Sequence, residues 1–403
     1  MVKDKLVPKL RFVNENEWGE FTLGAIGKTY SGLSGLSKDN FNGGNSKYIT
    51  YKSIFDNNIL KKNLTESVDL NNKSQNKVKK GDLFFTGSSE TPEEVGMVSV
   101  LNFDIDDCYL NSFCFGYRLN DFKKISPTFL AYYLRSPIMR NKIQILAQGS
   151  TRFNLSKKET LKLRIKIPKM EEQLKISNFF TNIDKKIELL KTKHNYYEDF
   201  KKYLMQQIFA QKLRFNFTDE WKKYLLGDIS LIGKGFTPST NNPSFWDGDL
   251  KWLSIADMNQ GKYINQTTKK ITYDGSKNKE PVKKGTLLMS FKLSIGKLGI
   301  LTEDMYTNEA ICNFKWKNKD VLTEYMYYYL SSINVLKYGS QAAKGITLNN
   351  ETLSTIPVLL PSLEEQKKII NILSDVDLKI SMLENSINDT SKFKKGLLQQ
   401  MFI

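Results

Sequence analysis

Several stretches of this 403-residue chain carry residue types that could do chemistry. "GAIGKT" at Gly24 ends in the Gly27-Lys28-Thr29 of a phosphate-cradling loop, but such a loop needs an earlier glycine where Thr22 stands. "GKG" at Gly233 opens a dinucleotide fingerprint, yet Pro238 occupies its third glycine position. "NPSF" at Asn242 has the outline of a loop that holds a flipped base, with Ser244 replacing a second proline and no glycine-rich cofactor loop upstream; it reads as a structural turn. His194 is the only histidine, so no second imidazole is available for a Ser-His-Asp triad. Cys108, Cys114 and Cys312 make neither a disulfide framework nor a metal quartet. No Pro-Asp dipeptide opens a nuclease motif. The paired acids Glu171-Glu172 and Glu364-Glu365 fall where helices should begin, and there they favour the helix dipole. These readings leave no catalytic residue and no metal ligand.

What the composition offers instead is charge. The formal net charge is +17, spread over lysines along the whole chain rather than gathered in a tail. Such a field suits a polyanion, most often nucleic acid. The start, "MVKDKLVPKLRF", has no apolar signal region, and no stretch is long and apolar enough to span a membrane. A cytoplasmic, soluble protein is expected.

The elements that would position a binding surface are written twice. "IPKMEEQLKI" at Ile167 returns as "LPSLEEQKKI" at Leu360, and the match runs on to "KKYLMQQIF" at Lys201 and "KKGLLQQMF" at Lys394. A second set of markers, "LRF", "EW" and "LG" from Leu10, recurs from Leu213, and "VKKGDLFF" at Val78 recurs as "VKKGTLLM" at Val282. Between the markers the copies differ. The repeated segments read as helices with an apolar seam. Ile176, Ile183, Leu190, Tyr197 and Leu204 alternate with Phe180, Ile187, His194, Lys201 and Ile208 in the first. Ile369, Val376, Leu383, Thr390 and Leu397 alternate with Leu373, Ile380, Ile387, Lys394 and Met401 in the second. His194 is thus a seam position whose counterpart is Ile387. About forty residues at 1.5 Å each make a rod of roughly 60 Å. Connectivity predicts that the second helix runs back along the first and ends beside the N-terminal "LRF".

The variable regions mix strand and helix signals. "KYITYKSIF" at Lys47, "GMVSVLNF" at Gly96, "LKLRIKIP" at Leu161, "KWLSIADM" at Lys251 and "ICNFKWK" at Ile311 alternate as strands. "SPTFLAYYLRSPIM" at Ser126 and "LTEYMYYYLSSINVL" at Leu322 read as helices. The expected fold class is α+β: two pseudo-symmetric mixed α/β domains separated by two long antiparallel helices forming a coiled coil. The boundaries are 1–167 and 213–360 for the domains, and 168–212 and 361–403 for the helices.

This pattern resembles the specificity (S) subunit of bacterial type I restriction–modification enzymes over essentially the whole chain. The resemblance is carried by the duplicated P-x-x-E-E-Q-x-K-I helix starts, the QQ-[IM]-F helix ends and the L-R-F…E-W…L-G segments. "TPSTNNPSFWDGDLKWLSIADM" at Thr237 is similar to an opening of that family's target recognition domains. The resemblance implies a subunit without catalytic activity and without a cofactor of its own. Its two target recognition domains would each read half of a gapped, asymmetric site in double-stranded DNA. Two methyltransferase (M) subunits carrying S-adenosylmethionine would dock on it, and restriction (R) subunits using ATP and Mg would join. The physically nearest alternative is a stand-alone bipartite DNA-binding regulator. A self-contained nuclease or methyltransferase lacks the residues, and a scaffold unrelated to DNA has no need of the charge.

Base-edge and phosphate contacts need hydroxyls, amides and cations on loops. In the first domain the candidates are Lys47, Tyr48, Thr86, Ser88, Ser89, Gln148, Ser150, Thr151, Arg152 and Asn154. In the second they are Thr237, Ser239, Thr240, Asn241, Trp246, Ser290, Lys292, Gln341, Lys344 and Thr347. Arg152 is expected to read a base, its loss relaxing one position.

Overall fold

The computed structural model describes residues 8–12, 17–41, 43–70, 74–292, 294–342 and 345–403, the side chains of 340–347 excepted. The chain divides into two units, Met1–Lys191 with Asn385–Ile403, and Thr192–Glu384.

In the first unit a four-stranded antiparallel sheet has the order Gly27–Ser31, Cys114–Leu119, Leu83–Thr86, Val98–Val100. Its apolar face packs on the helix Pro127–Leu134, whose residues Phe129 to Leu134 are all fully buried. A smaller sheet pairs Thr65–Val68, Ser46–Ile49 and Cys108–Leu110. The second unit repeats the plan. Ser230–Lys234, Ile311–Trp316, Leu287–Ser290 and Leu298–Leu301 are joined by Tyr263–Ile264, and the helix Thr323–Ser332 lies against them. In each unit the entering and leaving strands pair antiparallel, Gly19–Thr22 with Arg164–Ile167 and Lys222–Leu225 with Pro357–Leu360.

Several sequence expectations shift in detail. "LKLRIKIP" is a strand only from Arg164, after the helix Lys157–Leu161, and "LTEYMYYYLSSINVL" is a helix only to Ser332, a 3-10 turn following from Val335. "KYITYKSIF" is a strand only to Ile49; Thr50 then accepts from Ser53 N and caps the helix Tyr51–Asp56. "KWLSIADM" is a strand to Leu253 and a 3-10 turn from Ala256. "SPTFLAYYLRSPIM" is two helices, because Ser136 and Pro137 start a new one, Pro137–Ile145.

The leaving strands feed two long helices, Met170–Phe209 and Leu363–Met401. Gln211, at φ +58°, follows the end of the first. Within the first unit, Ile176, Phe180 and Ile183 join Leu397, Met401 and Phe402 in one core with the sheet's helix. Lys394 reaches Asp184, which also accepts from Tyr132 at 2.8 Å. Within the second unit, Leu204 and Ile208 meet Ile369, Leu373, Val376 and Ile380. There His194 faces Glu384 at 3.3 Å and Lys201 faces Asp377 at 2.6 Å, so one number rises as the other falls and the helices run antiparallel. His194 is a seam residue.

The repeated helix starts prove to be locks. Glu171 behaves as expected of an exposed first-turn acid, held below the usual carboxylate range by its hydrogen bond to Lys175. Glu172 instead is buried and accepts two bonds from Arg11, at 3.1 and 2.7 Å. Glu365 accepts two from Arg214, at 2.7 and 2.9 Å, and a third from the Trp221 indole at 3.0 Å. These bonds raise both guanidinium pKa values. Gln173, fully buried, accepts from Ser126 N and donates to the carbonyls of Lys124 and Pro168; Gln366 does the same with Leu322, Asp320 and Pro361. The "LRF" segments dock alike: Leu213 N donates to Gln207 O at 3.2 Å within one stretch of chain, and Leu10 N donates to Gln400 O at 3.0 Å. The expected return of the second helix to the first "LRF" is therefore found inside the first unit.

Removing one partner of a buried ion pair strands the other charge, which costs about 3–5 kcal/mol. Glu365→Ala is expected to lower the unfolding free energy by about that amount in urea titrations followed by circular dichroism, and Glu364→Ala, on the exposed neighbour, by less than about 0.5 kcal/mol.

Candidate nucleic-acid interface

In the first unit a short three-stranded sheet brings together loops from distant parts of the chain. Ala147–Gln148 pairs with Phe153–Leu155, which pairs with Ser88–Ser89, so that Gln148 lies opposite Asn154 and Asn154 opposite Ser88. Gly149, at φ +131°, makes the sharp turn that throws Ser150, Thr151 and Arg152 outward. A cavity of about 630 Å³ opens beside this sheet, lined by Ser88, Ser89, Thr151 and Arg152 among the expected residues. Its other walls are Tyr51, Lys52, Phe55, Glu90, Glu94 and Phe113, which sequence reasoning missed.

Each wall has a local cause. The helix Tyr51–Asp56 sets Tyr51 and Phe55 one turn apart, and their rings stack at 6.1 Å. Burial raises the Tyr51 phenol, an effect eased by the Ser89 and Thr86 hydroxyls. Phe113, 52 % exposed, sits in a turn fixed by Asn111 Oδ1 accepting from its own N–H at 2.8 Å. The Arg152 guanidinium lies over the Phe113 ring at 4.8 Å from the centroid. Ser89 Oγ donates to Glu94 at 3.0 Å, and the buried Ser88 hydroxyl has no partner among the described residues. Reading "KYITYKSIF" as a strand hid the Tyr51/Phe55 face; the acids of "SSETPEE" and the exposed "NSF" turn were the available signals.

Other candidates lie elsewhere or are internally committed. Lys47 is exposed on the smaller sheet, while Tyr48 is buried there and donates to Glu66 at 2.5 Å. Thr86 is fully buried, its hydroxyl accepting from Met97 N at 2.8 Å. In the second unit Ser290 is likewise fully buried, donating to Ser294 O and accepting from Lys297 N at 3.0 Å. Thr237 donates to Glu309 and accepts from Asn308 at 3.0 Å. The Trp246 indole donates to Ser239 O at 3.1 Å, stands edge-on to Trp252 and carries Lys269 over its ring at 5.4 Å. Thr240 and Asn241 are exposed beside that turn, and Lys292 is exposed over Phe291. The "NPSF" turn is closed by Asn242 Oδ1, which accepts from Ser244 N and Oγ. Lys344 and the side chains of Gln341 and Thr347 lie outside the described residues. No group of His, Cys, Asp and Glu among the described residues could hold a metal ion, and no helix among them is long and apolar enough to cross a membrane.

Arginines separate scaffold from surface. Arg135 donates to the carbonyls of Val98, Ile54, Phe55 and Asn57, and Arg140 to those of Gly96, Glu93 and Val95; burial lowers each to about 10, leaving both charged at neutral pH. Arg118 pairs with Asp82, and Arg164 with Glu20. Among the described residues only the Arg152 guanidinium has no hydrogen bond or ion pair.

The chain matches the family described as "Type I restriction modification DNA specificity domain" twice, over residues 15–197 and 218–390. It is 30 % identical over 181 residues to the MjaIX specificity subunit of a type I restriction enzyme from Methanocaldococcus jannaschii, covering 43 % of this chain and 40 % of that protein. It is 28 % identical over 174 residues to the HindI specificity subunit from Haemophilus influenzae, covering 41 % of this chain and 36 % of that protein. The matches thus span well under half the length of these relatives. Its fold is like that of the type I restriction-modification S subunit from M. genitalium, with a TM-score of 0.61 at 16 % identity over 99 % of both chains. A structure described under complex assembly of the type I R-M system gives a TM-score of 0.59 at 15 % identity, over 97 % of this chain and 99 % of that one.

Because its hydroxyl is spent inside the fold, Ser290→Ala is expected to destabilise the chain by about 1–2 kcal/mol while leaving DNA affinity unchanged. Urea unfolding and fluorescence anisotropy with labelled duplex check the two halves of that statement.

Proposed function

The chain belongs to the type I restriction modification DNA specificity family, and from that premise we propose that it is the DNA-recognition subunit of a multisubunit methyltransferase and endonuclease. Each unit reads one part of a gapped, asymmetric site in double-stranded DNA. The long helices set the gap and dock two methyltransferase subunits. The chain itself does no chemistry: S-adenosylmethionine is bound by the methyltransferase, and ATP and Mg by restriction subunits.

The observation that carries this reading is a doubled frame bearing two different reading surfaces. The locks, sheet order and helix seams recur in both units. At positions that match in the two sequence copies, however, the first unit has Phe113 and Arg152 where the second has Ala310 and Gly345. A reader of two unlike half-sites needs that combination, since identical partners require identical faces and different sequences require different loops.

Docking is supported by apolar side chains left in water on the long helices. Leu189 (69 %) and Phe393 (60 %) are exposed in the first unit, and Tyr196, Tyr203, Leu378 and Met382 in the second. Such surfaces mark interaction sites. Leu189 and Met382 occupy matching positions in the two repeated helices, so that one exposed apolar spot recurs in both units, as two copies of one partner would need.

Mapping modified adenines in the source strain, with the gene intact and deleted, tests the whole reading. One gapped asymmetric motif is expected to lose its methylation on deletion; an unchanged map in a strain that expresses the methyltransferase counts against it. Tyr203→Glu is expected to reduce copurified methyltransferase at least tenfold, while the variant's circular dichroism stays that of the parent.

A further inference from the structure

Resting on the DNA-reading role, we propose that the cavity of the first unit reads one guanine·cytosine pair, with Arg152 donating to guanine and Glu90 accepting from the cytosine amino group.

Two facts single out Arg152. Its donors are uncommitted, whereas Arg11, Arg118, Arg135, Arg140, Arg164 and Arg214 are all bonded within the fold. Its guanidinium also rests on Phe113, 4.8 Å from the ring centroid, a contact that holds it in place without using its N–H donors. Glu90, exposed on the same cavity wall, makes no hydrogen bond or ion pair among the described residues. A donor fork and a carboxylate acceptor therefore line one cavity without satisfying each other.

The pair decides what can enter. A phosphate would meet the carboxylates of Glu90 and Glu94 along with the arginine, so the site is not built for an anion. A base pair's major-groove edge offers acceptors and donors together. On guanine, O6 and N7 take both arms of an arginine, and the cytosine N4 amino group donates to a carboxylate. An adenine·thymine pair offers no two-acceptor edge to the fork, and thymine O4 would repel the glutamate. The unpaired Ser88 hydroxyl behind the wall adds a polar group that the fold itself leaves unused. In the second unit the chain has no arginine beyond Arg214, so its half-site must be read with other donors.

The test is selection of bound duplexes from a randomised library by the full chain and by its Arg152→Ala, Arg152→Lys and Glu90→Gln variants. The parent is expected to select a two-part motif containing a G·C column in one part. Both arginine variants should lose about 5- to 150-fold of the preference at that column, and Glu90→Gln should weaken the same column, with all other positions retained. Weaker binding with an unchanged motif would make Arg152 a phosphate contact and overturn the assignment. So would loss of the entire motif in Arg152→Lys, since a residue that reads one pair leaves the other positions selected. If the parent itself selects no two-part motif, the recognition role fails first.

Discussion

The burial of one carboxylate at the start of each long helix constrains everything around it. Glu172 and Glu365 sit out of water, and a charge there is tolerable only when its partner's geometry is near ideal. Bidentate arginine supplies that geometry from the "LRF" segment, and the next residue, glutamine, ties the same helix turn to the loop that opens the domain helix. A helix slipped by one residue would rotate the carboxylate by about 100° and leave both charges unpaired. The lock therefore sets helix phase, helix phase sets which residues form the seam, and the seam fixes how the helix meets the sheet's helix in each unit.

Once phase is fixed from below, the far edge of each domain is free to vary. The Asp184–Lys394–Tyr132 group in the first unit has its counterpart in Asp377, Lys201 and Tyr328 in the second, so even the secondary contacts between helix and domain are kept. The second unit adds Lys262, held by Glu324, Tyr328 and Ser374 at 3.1–3.3 Å. Loop residues beyond the sheet edge carry none of this load. Phe113 can be alanine and Arg152 glycine at the matching positions without touching a buried charge.

Periodic features were legible in the sequence because each repeats its own evidence. Five heptads of seam and two copies of each marker made the helices and the α+β plan readable, and His194 could be assigned by its isoleucine counterpart. The arginine–glutamate locks were not legible, since their partners stand 161 and 151 residues apart and an EEQ phrase looks the same whether its second acid is wet or buried. The candidate site was half legible. Loop chemistry pointed to Ser88, Ser89, Thr151 and Arg152, which do share a cavity, but residue type alone could not reveal that Tyr48, Thr86 and Ser290 spend their hydroxyls inside the fold. Tyr51 and Phe55 were lost to a strand reading that ended one cap too late.

The division between arginine and lysine completes the argument. Guanidinium groups, planar and weakly hydrated, are suited to multidentate work inside a fold, and five of this chain's seven arginines serve that way: Arg11, Arg118 and Arg214 on carboxylates, Arg135 and Arg140 on backbone carbonyls. The positive charge left at the surface is therefore mostly lysine, a hydrated point charge that attracts phosphate without regard to sequence. On the proposed DNA-reading role, general attraction and discrimination would then reside in different residues. In that role a field of +17 would attract a duplex of any sequence, and choice among sequences would rest with a few loop side chains. That separation would let the loop surfaces of the two units diverge on a frame whose buried charges recur in both.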